Sequence, residues 1–266
     1  MVSRETLIAE GLHALGLPHG SDAEVIRRLV ALTESLETEA IPRGFIGQAD
    51  ADRLVPRHVL ESAALNGFLP SDGILVDVGS GAGLPGLVLA CLRRDRVVLV
   101  EPMAKRAAFL REVVHRLELR AEVIQLRAED AARGELRESA AVVTARALAP
   151  NVEALELLLP FAQPGGVVAI LVGPSDVPGR VGPPRAGAKR VPRAAGDVPG
   201  VSPLSSSAGV AAAALGGGEL VASRFEVPGA EESRWVMIVH KLRRTPDLYP
   251  RPPQARRRRP LGGSVA

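Results

Sequence analysis

The chain has 266 residues, 46% of them apolar, with a formal net charge of +3 and a pI near 9.6. That is enough apolar material for one core with extensions, and the basic excess is gathered at the C-terminus. A single cysteine, Cys91, excludes a disulfide or zinc–thiolate framework. There is no apolar run of about 20 residues and no basic-then-apolar leader in residues 1–20, so a soluble, cytoplasmic protein is expected.

Apolar spacing predicts a short helix over 3–17, through Leu7, Ile8, Leu12 and Leu15. A second helix is predicted over 22–36, capped by Ser21 or Asp22, with Val25, Ile26, Leu29, Leu32 and Leu36 as its stripe. Pro42 and Gly44 interrupt the pattern, and a third helix follows over 55–65, containing Arg57 and His58.

Residues 74–78 then read as a covered strand ending near Asp77, followed by Gly79, Gly81 and Gly83 with one residue between each. Glycine there permits positive φ and lets a ligand approach the backbone. A helix over 87–93 and a strand over 97–100 follow, the strand ending in Glu101. A carboxylate about 20 residues beyond a glycine turn is placed to meet a ribose hydroxyl.

The next helix, 104–117, sets Lys105, Arg106, Arg111 and His115 against Phe109, Leu110, Val113 and Val114. Strands are predicted over 123–126, 140–144 and 167–172, with a helix over 152–159 and a turn at Pro164-Gly165-Gly166. Strands alternating with helices argue a parallel α/β sheet with its ligand at the carboxyl ends of the strands. Residues 173–218 are rich in Gly, Pro, Ala, Ser and Arg without a period, and read as an irregular or disordered insert. Two further strands, 220–227 and 235–240, can close the sheet as an antiparallel pair. The tail is basic, and its prolines keep it extended.

The divisions expected are therefore a helical extension over 1–70, a body over 71–172 and 219–242, the insert over 173–218, and a basic tail over 243–266.

The Asp77-x-Gly79-x-Gly81-x-Gly83 spacing resembles motif I of class I S-adenosylmethionine methyltransferases more than a dinucleotide-binding turn. Several stretches together resemble one family, the bacterial 16S rRNA (guanine-N7)-methyltransferase G, also known as glucose-inhibited division protein B. They are Arg57-His58-Val59-Leu60-Glu61-Ser62, Asp77 through Leu84-Pro85-Gly86, Lys105-Arg106-Ala107-Ala108-Phe109-Leu110, Arg127-Ala128-Glu129 and Thr144-Ala145-Arg146-Ala147. The tail from Thr245-Pro246 through Tyr249-Pro250-Arg251 to Pro260-Leu261 fits the same pattern.

The resemblance implies a Rossmann-like α/β fold with a mostly parallel seven-stranded sheet and an N-terminal helical extension. It implies transfer of methyl from S-adenosyl-L-methionine to N7 of a guanine in 16S rRNA, naked or in the 30S subunit; separately, a monomer without metal or membrane is expected. Gly79, Gly81, Gly83, Leu84, Ala128, Glu129 and Arg146 are then cofactor-binding candidates, joined by Glu101 on position. Arg146 is also the candidate catalytic residue, orienting the guanine or the cofactor carboxylate. Arg57, His58, Lys105, Arg106 and Arg111 are candidates for rRNA contacts, and the tail arginines form a second phosphate-binding candidate.

Two departures stand out. The family's Leu-Lys-Gly after the fifth strand is Leu171-Val172-Gly173 here, and the insert replaces an acidic helix expected to cover one sheet face. A small-molecule methyltransferase, a non-catalytic RNA-binding paralogue and a nicotinamide dehydrogenase are the competing expectations.

Overall fold

A computed structural model of the chain describes residues 2–146, 148, 151–173, 202–203 and 206–262. Two helices open it. In α1 (Arg4–Ala14) the Ser3 hydroxyl caps the Thr6 N–H at 3.1 Å. In α2 (Ala23–Ser35) Asp22 Oδ1 accepts from the N–H groups of Glu24 and Val25 at 3.0 and 3.2 Å. All five apolar residues of the α2 stripe are buried. On α1, Ile8, Leu12 and Leu15 are buried but Leu7 is 45% exposed, which removes it from the expected stripe. The helix expected over 55–65 is a wide i→i+5 turn, Leu54–Leu60, running into α3 (Glu61–Leu65).

The body follows as β1 (Leu75–Val78), α4 (Gly86–Leu92), β2 (Val97–Val100), α5 (Ala104–Arg116), β3 (Ala121–Ile124), α6 (Ala128–Ala131), β4 (Ala140–Arg146), α7 (Asn151–Leu158) and β5 (Ala162–Val172). Beyond these lie β6 (Ser202–Pro203), α8 (Ser206–Ala214), β7 (Gly217–Phe225), β8 (Arg234–Lys241) and α9 (Pro253–Arg258). The sheet order is β3-β2-β1-β4-β5-β8-β7-β6. The strands from β3 to β5 are parallel, and β8 runs antiparallel between β5 and β7. Seven strands were expected; the eighth is the two-residue β6 on the outer edge.

Alternation along the strands divides the apolar side chains between two cores. Leu75, Val97, Leu99, Val142 and Val167 face a core built with α1, α2, α4 and α5. Val76, Val78, Val98, Val100, Val143 and Val168 face a second, built with α6, α7 and α8. The N-terminal helices thus complete one cover of the sheet.

Four expectations need correction. The third strand lies two residues earlier than 123–126, because its ladder matches the four residues of β2, Val97↔Ala121 to Val100↔Ile124, and Leu126 is left exposed. The turn at Pro164-Gly165-Gly166 is a bulge inside β5, where the register jumps between Ala140↔Ala162 and Val142↔Val167. The irregular insert does not reach residue 218. Its C-terminal part forms α8, which buries Ala208, Ala211 and Ala212 against the sheet, and the start of β7. Residues 174–201 lie outside the described residues.

The tail, expected to be extended, turns back and forms α9. Pro252 and Pro253 sit before and at the first helical position, where a missing N–H costs no intrahelical bond. The root of the tail is fixed by the buried Lys241, whose Nζ donates to Leu159 O at 2.6 Å and to Thr245 Oγ1. No helix among the described residues is long and apolar enough to cross a membrane.

Candidate functional site

The parallel order β3-β2-β1-β4 sets four chain segments side by side at the carboxyl edge of the sheet. They are the 128–129 turn after β3, Glu101 after β2, the glycine loop after β1, and Arg146 at the end of β4. Three strand spacings separate the outermost, roughly 14 Å.

The loop is laid over the end of β2. The N–H groups of Gly79 and Ser80 both donate to Val100 O, at 2.8 and 3.1 Å. Gly79, Gly81 and Gly83 have φ of +72°, +59° and +94°. Side chains rarely adopt that region, so glycine is required by conformation alone. Space then separates the three. A Cβ on Gly83 would lie 2.2 Å from Leu87 Cδ1 and 3.0 Å from Leu110 Cδ2, in the core. One on Gly79 would lie 2.4 Å from Leu148 Cδ1, in the segment after Arg146, and one on Gly81 meets only Gly79 O at 3.8 Å. Gly83 therefore serves packing, whereas Gly81 presents open backbone. Leu84 is buried beneath the loop.

Glu101 is held by the loop that it flanks. Its Oε2 accepts the Gly81 N–H at 2.8 Å and its Oε1 accepts the Met103 N–H at 2.9 Å. Asp77, one strand over, is fully buried. Its Oδ1 accepts the Thr144 hydroxyl at 3.0 Å and its Oδ2 accepts the Gly86 N–H at 3.2 Å. Burial pushes its carboxyl up to about 6, against hydrogen bonds from Ser80, Thr144 and Gly86 and the charge of Arg146.

The folded value lies above the unfolded one, so folding takes up a proton between about pH 4 and pH 6. The contribution of Asp77 to stability therefore falls as pH rises through that window. In urea titrations, wild type loses more stability than Asp77→Asn between those pH values; parallel pH dependences would contradict this.

Arg146 and His58 come together. Arg146 Nη1 lies 2.9 Å from His58 Nδ1, and His58 Nε2 lies 3.5 Å from Asp50 Oδ2. Burial and then the Arg146 charge push His58 down to about 4, with Asp50 opposing. The ring is neutral at pH 7. Since a guanidinium only donates, Nδ1 accepts and the ring proton sits on Nε2, on the Asp50 side. Arg57 Nε pairs with the same Asp50 at 3.0 Å. Behind them the buried Glu61 pairs with Arg234 at 3.1 Å.

His58 is thereby corrected: a ring that is 5% exposed and lodged between Arg146 and Asp50 offers no face to a phosphate. Arg57 stays partly exposed. Lys105 and Arg111 are exposed on α5, and Arg106 lies over the Phe45 ring at 5.8 Å. The tail arginines divide. Arg251 and Arg256 are spent on buried carboxylates, Glu156 and Glu129, both at 2.6 Å, whereas Arg257, Arg258 and Arg259 are exposed.

Two site residues escaped sequence reasoning, Asp50 and Arg256. One is the first of two acids, Asp50 and Asp52, in a polar turn, the other one arginine in a run of four, and neither position carries a local signal. No group of metal-binding side chains occurs among the described residues.

Comparison with known proteins adds to this geometry. The model of the GidB family, described as rRNA small subunit methyltransferase G, matches residues 25–177. The ribosomal RNA small subunit methyltransferase G of Acidothermus cellulolyticus is 38% identical over 232 residues, covering 84% of this chain and 96% of that protein. The protein of the same name from Salinispora arenicola is 48% identical over 152 residues, covering 55% and 63%. For the one from Frankia alni the match is 46% over 144 residues, 53% of this chain and 55% of that protein. Among solved structures, a SAM-dependent O-methyltransferase from Thermotoga maritima matches with TM-score 0.45 and 12% identity, over 70% of this chain and 66% of that one.

Proposed function

This chain belongs to the rRNA small subunit methyltransferase G family, and we propose that it transfers the methyl group of S-adenosylmethionine to N7 of a guanine in 16S rRNA. The observation that carries the reading is the pairing of Glu101 with the open backbone of Gly81. The residues fit the cofactor. Open backbone at Gly81 lies beside a carboxylate at the next strand end, with a further turn one strand beyond. Glu101 would hold the ribose hydroxyls, Ala128 and Glu129 the adenine, and the glycine loop the methionine part. The bound cofactor supplies an electrophilic methyl on a sulfonium.

Guanine N7 carries an in-plane lone pair at neutral pH, so no base need remove a proton. The chain's task is alignment and exclusion of water. Arg146 is held at the rim by His58 and can donate to the guanine O6 or to the cofactor carboxylate. A neutral His58 adds no further cation beside Arg146, which agrees with its burial.

The test is methyl transfer from labelled cofactor to 30S particles lacking this modification, with the product mapped by mass. N7-methylguanine in 16S rRNA is expected; folded, cofactor-bound protein that labels no RNA would overturn the reading. A small-molecule methyltransferase gives that negative result together with weak RNA binding.

The exposed face of α5 supports an RNA partner. Lys105→Glu with Arg111→Glu should weaken rRNA binding and flatten its salt dependence, by about 0.7–0.9 in log–log slope per lost phosphate contact. Cofactor affinity should hold. A slope unchanged in filter binding across a salt series would remove these residues from the interface.

A further inference from the structure

We propose that Arg256 is a positioning residue for the cofactor's adenine turn: from α9 it clamps Glu129 to Glu153 and so fixes Ala128 and Glu129 at the carboxyl end of β3. The proposal rests on the cofactor reading above and extends it to the C-terminal segment.

The turn cannot hold itself. α6 is four residues long, and no side chain caps its N-terminus. A single turn of helix is unstable without tertiary support, because nucleation fixes several residues for one hydrogen bond. Arg256 supplies that support. Its side chain is 5% exposed and all three of its nitrogens are engaged. Nη2 donates to Glu129 Oε1 at 2.6 Å, Nε to Glu153 Oε1 at 3.2 Å, and Nη1 to the Arg251 carbonyl at 2.6 Å. Burial raises the Glu129 carboxyl; the Arg256 hydrogen bond, the turn's own backbone N–H and the charges of Arg256 and Arg127 together outweigh it, so the net shift is downward.

The clamp is itself anchored. Arg251 donates to both oxygens of the buried Glu156, at 2.8 and 2.6 Å, a forked geometry that fixes orientation. Arg137 donates to the carbonyls of Thr245 and Tyr249, at 2.8 and 3.0 Å, and Arg133 to that of Pro250 at 2.5 Å. Glu153 and Glu156 belong to α7, which begins at Asn151, shortly after Arg146. One C-terminal segment therefore ties the turn after β3 to the helix after β4, across the strand ends that bound the site. Without Arg256, Glu129 and Glu153 are left as like charges with no cation between them, and their repulsion drives the turn outward.

Calorimetry with S-adenosylmethionine tests this on the full chain. Arg256→Gln should weaken binding by about tenfold or more, with kcat on 30S particles at saturating cofactor within about threefold of wild type. Arg256→Lys should recover part of the loss, since one ammonium reaches only one of the two carboxylates. Arg257→Gln, on the exposed side of the same helix, should bind as wild type does. A folded Arg256→Gln that binds within about twofold of wild type overturns the clamp alone. Wild type that gives no heat overturns the cofactor reading and the clamp with it. Should the Gln variant not fold, Arg256→Lys decides: unchanged affinity and unchanged amide exchange over 128–131 overturn the proposal.

Discussion

Gly79→Arg abolishes S-adenosylmethionine binding, raising the dissociation constant by about a hundredfold or more while the folded core is kept. Three effects act in the same direction. The backbone at residue 79 has φ of +72°, which strains any residue with a Cβ by roughly 1–2 kcal/mol. A Cβ there lies 2.4 Å from Leu148 Cδ1, so the new side chain pushes into the segment that follows Arg146. Finally, a guanidinium is brought beside a sulfonium, and like charges in a partly desolvated site repel strongly. The strain is borne by a loop rather than by either core, so thermal unfolding remains cooperative. Calorimetry and a melting curve on the same sample check both halves. Retained affinity would remove the glycine loop from the site.

The second large effect belongs to Glu101. Its two oxygens take the N–H groups of Gly81 and Met103 and, in the proposed complex, the ribose hydroxyls as well. Hydrogen bonds to a charged acceptor are worth about 1.5–3 kcal/mol each. Glu101→Gln keeps the shape, but its amide nitrogen turns an N–H donor toward another N–H. The expected loss of cofactor affinity is roughly 10- to 150-fold. The dissociation constant of the 2′-deoxyribose analogue should change less, because one partner of the carboxylate is already absent. Equal losses for both ligands would place Glu101 in loop support alone.

What could be read from the chain was local. The run from Leu75 to Gly86 carries β1, the glycine loop and the start of α4 within a dozen neighbouring residues, and each glycine lies where a positive φ or a close contact demands it. The stripe of α2 and the basic-against-apolar face of α5 were legible for the same reason: helical period is a property of one segment.

What escaped depended on distant partners. His58 reads as a surface base until Arg146, 88 residues away, is placed on its Nδ1. Arg256 reads as one more solvated arginine until Glu129, 127 residues upstream, is found beneath it. α8 was hidden because Ser206–Ala214 is nearly all small residues, so it buries alanines without an apolar period. α9 was hidden because prolines that break a helix interior are harmless at its first turn.

The most direct test is an isothermal titration of the purified, folded chain with S-adenosylmethionine, run beside Gly79→Arg. Saturable one-site heat from the wild type and none from the variant is the predicted result. A flat trace from a wild type that melts cooperatively would contradict the assignment of residues 79–83 and Glu101 as the cofactor's seat.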